Sequence, residues 1–162
     1  MKKLVIILLH LLYWIVYIYV FVLFIMMTAH FQGFKLSNMM FIRVWQTSFF
    51  IPGIIAFYSS YTFLFSMFLK KKRILALLLY SFSVFLISAL IAELFLFLYI
   101  TPTPGFAKMG LTSAFGMIVF TFIIALINGI MGFILRGFIT WYRDIKVKEE
   151  LNKKNTKWSL LW

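Results

Sequence analysis

The sequence predicts an all-α membrane protein with four transmembrane helices arranged as two hairpins, and three observations carry that reading. The first is composition: the 162 residues are 64% hydrophobic and 12% charged, with a mean hydropathy of +1.03, whereas soluble domains are about half apolar and about a quarter charged. The second is the presence of four apolar blocks, each long enough to cross a hydrocarbon core of about 30 Å at about 1.5 Å per residue. The third is the distribution of cations around those blocks. Runs of Leu, Ile and Phe far longer than a strand, with 21 Phe against 3 Pro, fit helices facing lipid rather than the alternating polarity of a barrel.

The same composition excludes several function classes. A net charge of +12 in a soluble chain would raise nucleic acid as a partner. Here the cations flank apolar spans, where they set topology and meet anionic headgroups, so the expected partner is the lipid bilayer and not nucleic acid. With no Cys the chain has neither a disulfide framework nor a thiolate metal site. His10 and His30 alone could offer imidazole, so no metal centre and no cofactor are expected.

The first span is expected over about 4–27. It is retained rather than cleaved, because its apolar stretch is about twice the length of a signal-peptide core and runs on to Met26, Met27 and Thr28. A polar connection with Gln32, Gly33, Lys35, Ser37 and Asn38 follows. The second span is expected over about 44–69, with Trp45 at an interface. Inside it Pro52 and Gly53 form a hinge: proline has no N–H to give, so the helix should kink and a carbonyl near residue 48 should be freed.

Lys70, Lys71, Lys72 and Arg73 then interrupt the apolar sequence. Each of these charges would cost about 2.5–3.5 kcal/mol at the centre of a span, so the four set the topology by holding this turn in water. The third span is expected over about 74–100, ended by Thr101, Pro102, Thr103, Pro104 and Gly105. The fourth covers about 112–136, with Trp141 and Tyr142 at its interface and nothing to break the helix after Gly137. Residues 1–142 thus read as the transmembrane domain and 143–162 as a cytoplasmic linker helix.

Counting cations places thirteen on one side (Lys2, Lys3, the four at 70–73, Arg136, Arg143, Lys146, Lys148, Lys153, Lys154, Lys157) against three on the other (Lys35, Arg43, Lys108). The asymmetry predicts a multi-pass protein with both termini and the basic turn in the cytoplasm.

Polar residues inside spans are the candidate site residues, since an ionisable group at membrane depth is functional by default. Glu93 is the only acid in any span. It lies seven residues before the outer end of the third helix, about 10 Å deep, and Tyr19 and Thr121 lie at similar depth. The carboxyl reads as a neutral group joining helices, as a site sensing protons or a ligand, or as a residue simply close to outside water. Counting from the inner boundary puts His10, Thr62, Ser81 and Asn128 at about 10–12 Å, where they are expected to form one interhelical network.

The fourth span carries a packing face of Thr121, Ala125, Asn128 and Gly132 within a narrow stripe, and the third a narrower one of Ser81, Ser88 and Ala92. These faces meet within one bundle, or the fourth helix meets its copy in a dimer; the sequence leaves both open.

In the tail, Val147, Leu151, Trp158 and Leu161 form one edge of a helix, with Lys154 interrupting the stripe, as at the start of a weak coiled coil. Four short-looped spans, the exit at Trp141, Tyr142 and Arg143, and the stretch from Lys148 through Glu149, Glu150, Leu151, Asn152, Lys153 and Lys154 to Asn155, leading to Leu160 and Leu161, resemble the N-terminal region of LytS/YehU-type sensor histidine kinases of the four-span kind common in Bacteroidetes. In that family the linker runs into a segment reading roughly Gln-Ile-Asn-Pro-His-Phe-Leu-Phe-Asn, whose His is phosphorylated, followed by an ATP-binding domain.

The resemblance implies a membrane-embedded sensing and signal-transmission region in the bacterial cytoplasmic (inner) membrane, truncated before the phosphoacceptor His. It further implies a homodimer through the fourth helix and the 143–162 helix, and a full-length kinase acting on a response regulator. No catalytic residue of the family falls on this sequence, so the chain itself is not expected to be an enzyme. The competing expectation is a small complete four-span protein, a transporter or flippase-like accessory or a structural subunit, in which Glu93 and the His10 layer would line a path.

Overall fold

A computed structural model of the chain describes residues 3–32, 39–69, 71–100 and 111–159. Lys70, the connections at 33–38 and 101–110, and 160–162 lie outside the described residues, as do the side chains of Trp45 and Trp158. Apart from the turn at 71–73 the described chain is helical: α1 (Lys3–Gln32), α2 (Met39–Tyr58) continued by a π-helical segment (Ser59–Leu69), α3 (Ile74–Ile100) and α4 (Leu111–Ser159). Among the described residues, four helices are long and apolar enough to cross a membrane.

The second span departs from a uniform α-helix. Eleven residues, Ser59–Leu69, adopt the wider π geometry, which is ordinarily confined to a single turn. Side chains add hydrogen bonds along it. Thr62 Oγ1 donates to the Tyr58 carbonyl at 2.7 Å and Ser66 Oγ to the Thr62 carbonyl at 2.8 Å. The chain then turns sharply. Lys72 N–H donates to the Leu69 carbonyl at 3.1 Å and Arg73 N–H to the Phe68 carbonyl at 3.0 Å, the paired bonds of a Schellman ending, with Lys72 in the left-handed region at φ 57°. Arg73 begins α3, its carbonyl accepting from Leu77 N–H at 3.0 Å.

Three of the helices pack on small residues. Ala56 of α2, Phe85 of α3 and Ala125 of α4 form one buried cluster. A Cβ on Gly132 would lie 2.5 Å from the Phe57 carbonyl oxygen, and one on Gly129 would lie 2.2 Å from the Phe85 ring. The backbone of α4 therefore rests directly on α2, as small residues permit in lipid. The small-residue stripes of α3 and α4 are accordingly spent inside the bundle: Thr121, Ala125, Asn128, Ser88 and Ala92 are all at most 1% exposed.

α1 is attached differently. Tyr13 stacks on Phe57 at 4.5 Å between ring centroids, and Phe21 packs against Phe49 at 5.0 Å. Its remaining faces, with Leu4, Ile7, Leu8, Ile15 and Val16, are exposed. Toward the other end of the bundle, Leu64 and Phe68 of the π segment bury Leu77 of α3, with Phe133 of α4 against them.

Candidate functional site

The most connected polar group is Asn128, 1% exposed at the centre of α4. Its amide uses one hydrogen on its own helix, Nδ2 to the Ile124 carbonyl at 2.8 Å, and the other on α1, to the Tyr17 hydroxyl at 3.3 Å. Its carbonyl Oδ1 accepts from the Tyr13 hydroxyl. Tyr17 in turn donates to the Phe49 carbonyl of α2 at 2.9 Å. Both amide hydrogens and the carbonyl are thus satisfied, and α1, α2 and α4 are joined through one side chain.

Gly53 makes room for this arrangement. A Cβ there would stand 3.0 Å from the Tyr17 hydroxyl and 3.2 Å from Asn128 Nδ2, so glycine is what lets the network sit against α2. Pro52 beside it is fully buried. It has no N–H to offer the Ser48 carbonyl. The carbonyl that α1 captures is the next one, Phe49 O, one residue from the position expected.

A second group lies one layer along. His10 Nδ1 is 2.8 Å from the Ile6 carbonyl, and its ring meets Tyr61 edge-on at 4.6 Å and Phe57 at 5.9 Å. Arg136 lies over the opposite helix's ring, its guanidinium carbon 5.1 Å from the Tyr61 centroid, a cation–π contact. Trp14 Nε1–H donates to the Tyr58 hydroxyl at 3.2 Å. The buried Oγ atoms of Ser48, Ser60 and Ser81 and the Nε of Arg136 have no hydrogen-bond partner.

The four residues expected to share a network therefore do not: Asn128 bonds to α1, Thr62 to its own helix, His10 sits among aromatic rings, and Ser81 is buried without a partner. The depth count fails because it took Arg136 as the boundary. Arg136 is level with Tyr61 and hence with His10, so Asn128, two turns away, is level with Tyr13 and Tyr17. Those two tyrosines were missed. Their signal was present in the run His10, Tyr13, Trp14 and Tyr17, an aromatic face with polar tips at helical spacing.

At the other depth, Glu93 of α3 meets Thr121 of α4, with Thr121 Oγ1 3.5 Å from Glu93 Oε1. Tyr19 does not join them. It is 64% exposed on the far side of α1. Among the described residues no group of three or more His, Cys, Asp or Glu could hold a metal.

Among the described residues, then, four helices are long and apolar enough to cross a membrane, and polar side chains link three of them. Comparison with family models, with curated proteins and with solved structures gives no match.

Proposed function

We propose that this chain is the membrane-embedded sensing and signal-transmission region of a two-component sensor histidine kinase, of the kind its tail resembles. In this reading two hairpins span the bacterial inner membrane, both termini and the 70–73 turn face the cytoplasm, and α4 leaves the membrane near Trp141 as a signalling helix.

The observation that supports it best is the position of Asn128. Tyr17, which ties α1 to the Phe49 carbonyl of α2, is bonded in turn to Asn128 of α4, as is Tyr13, and α4 also carries the charged segment as part of one 49-residue helix. Any rearrangement of α1 against α2 alters the bonds of Asn128, and a continuous helix passes a rotation or shift along its length. Pro52 and the π segment give α2 two local geometries from which such a bundle can draw a second state.

A homodimer belongs to the same proposal. Because the small-residue stripe of α4 is spent within the bundle, the surface left for a second copy is the exposed face of Ile123, Ile127, Ile130 and Ile134, with Val147 and Leu151 further on.

The test is a set of chimeras in which the full chain is joined to a histidine-kinase core and one to seven alanines are inserted after Arg143. Transmission by helix rotation predicts autophosphorylation that oscillates with insert length, recovering near four and seven residues, and a shifted baseline in Asn128→Leu. Equal activity across the series would defeat transmission through α4 and leave an accessory or structural membrane subunit.

A further inference from the structure

Thr121 has one hydroxyl hydrogen and three oxygens around it. The Met117 and Ile118 carbonyls of its own helix lie at 2.9 and 3.0 Å, and Glu93 Oε1 of α3 lies at 3.5 Å. The two carbonyls of α4 are nearer than the carboxyl and take that single hydrogen. What Thr121 turns toward α3 is then a lone pair. An ionised Glu93 would set two electron-rich oxygens against each other, whereas a neutral carboxyl would supply the missing hydrogen.

We propose that Glu93 is a proton-binding site: its neutral carboxyl donates to Thr121 Oγ1 and fastens α3 to α4, and transfer of that proton to water on the outer side releases the pair. This rests on the sensing reading above and names the stimulus as the proton itself. Thr121 is fully buried and Glu93 half-buried, so the contact is reachable from one side and anchored on the other.

Among the described residues no charged side chain is placed against the carboxyl. On α4 its neighbour is Thr121, and the cleft beside Phe95, two positions along α3, is lined from α2 by Gln46, Thr47, Phe50 and Ile51, none of which titrates. Arg43 is exposed near the start of α2, while Tyr61 of the π segment is grouped with His10 and Arg136. Among the described residues Thr121 is the one hydrogen-bonding neighbour Glu93 has.

Infrared spectroscopy of the full chain in phosphatidylcholine nanodiscs tests the proposal. A protonated-carboxyl C=O band should be present at neutral pH, missing from Glu93→Gln, shifted in frequency in Thr121→Val, and lost as the pH is raised. Spin labels on cysteines replacing the exposed Leu98 and Phe115 should move apart as the band disappears, and should stay together in Glu93→Gln.

The absence of a protonated band at neutral pH would overturn the proposal, as would a band that Thr121→Val leaves unshifted. Because Thr121→Val alone can decide the matter, the test survives a misfolded Glu93→Gln. Silent kinase chimeras would leave the spectroscopic result standing, so failure of the transmission reading and failure of the proton site are separable.

Discussion

α1 and the group formed by α2, α3 and α4 show two ways of holding helices together where lipid tails are as apolar as the side chains. The three-helix group closes on small residues, with Ala56, Ala89 and Ala125 at 0% exposure and the α4 backbone against the Phe57 carbonyl. α1 reaches the same surface with long side chains, through Tyr13 and Phe21, and leaves Leu4 and Ile7 64% exposed. Close backbone approach multiplies weak dispersion contacts that cannot be made at any other separation, so it fixes one geometry. Aromatic rings and hydroxyls tolerate small slides. The difference makes α1 the more loosely packed helix and the other three the frame.

Breaking the frame should produce the largest effect. A methyl group at Gly132 would stand 2.5 Å from a backbone oxygen, which cannot swing aside as a side chain can. Gly132→Ala should lower stability by about 1–3 kcal/mol, and Gly132→Leu should prevent the bundle from forming. Gly116 has nothing within 4 Å of its Cβ position, so Gly116→Ala is the matched control. Thermal unfolding in detergent measures both. A Gly132→Ala variant as stable as Gly116→Ala would remove the distinction between the two kinds of packing.

Releasing α1 should cost less and leave the frame intact. Asn128→Leu removes the Tyr13 and Tyr17 bonds together, while Tyr13→Phe removes one. Interhelical bonds in membranes average about 0.6 kcal/mol and reach about 1.7, so the expected losses are roughly 1–2 kcal/mol and 0.6 kcal/mol. Amide exchange should rise along α1 in Asn128→Leu and stay unchanged in α3. Equal loosening of all four helices would mean that α1 belongs to the frame.

The contrast also marks what the sequence made legible. Hydropathy located the four spans because every backbone polar group in lipid must be satisfied within its own helix, and the small-residue stripe of Thr121, Ala125, Asn128 and Gly132 proved to be a buried face. Glu93 and Thr121 were matched by depth and do meet. The π geometry of Ser59–Leu69 left no such trace, since an i+5 ladder uses the same residue types as an i+4 ladder. The partners of Asn128 were hidden for another reason. Counting depth from a cation assumes that the cation reaches the headgroups, and the Arg136 guanidinium instead lies over the Tyr61 ring.

The smallest expected effect falls on the turn that joins the frame's own helices. Lys72 holds φ 57° while its N–H and that of Arg73 close the end of the π segment. A side chain in this conformation costs roughly 1–2 kcal/mol, a penalty that glycine lacks. Glycine's extra freedom in the unfolded chain takes back about 0.5–1 kcal/mol of this, so Lys72→Gly should stabilise the bundle by about 0.5 kcal/mol, seen as a higher midpoint in thermal unfolding. The flanking Lys71 and Arg73 still keep the turn in water. A lower midpoint would mean that the ammonium group contributes more than the backbone strain costs, and that this turn is held by its charges rather than by its two hydrogen bonds.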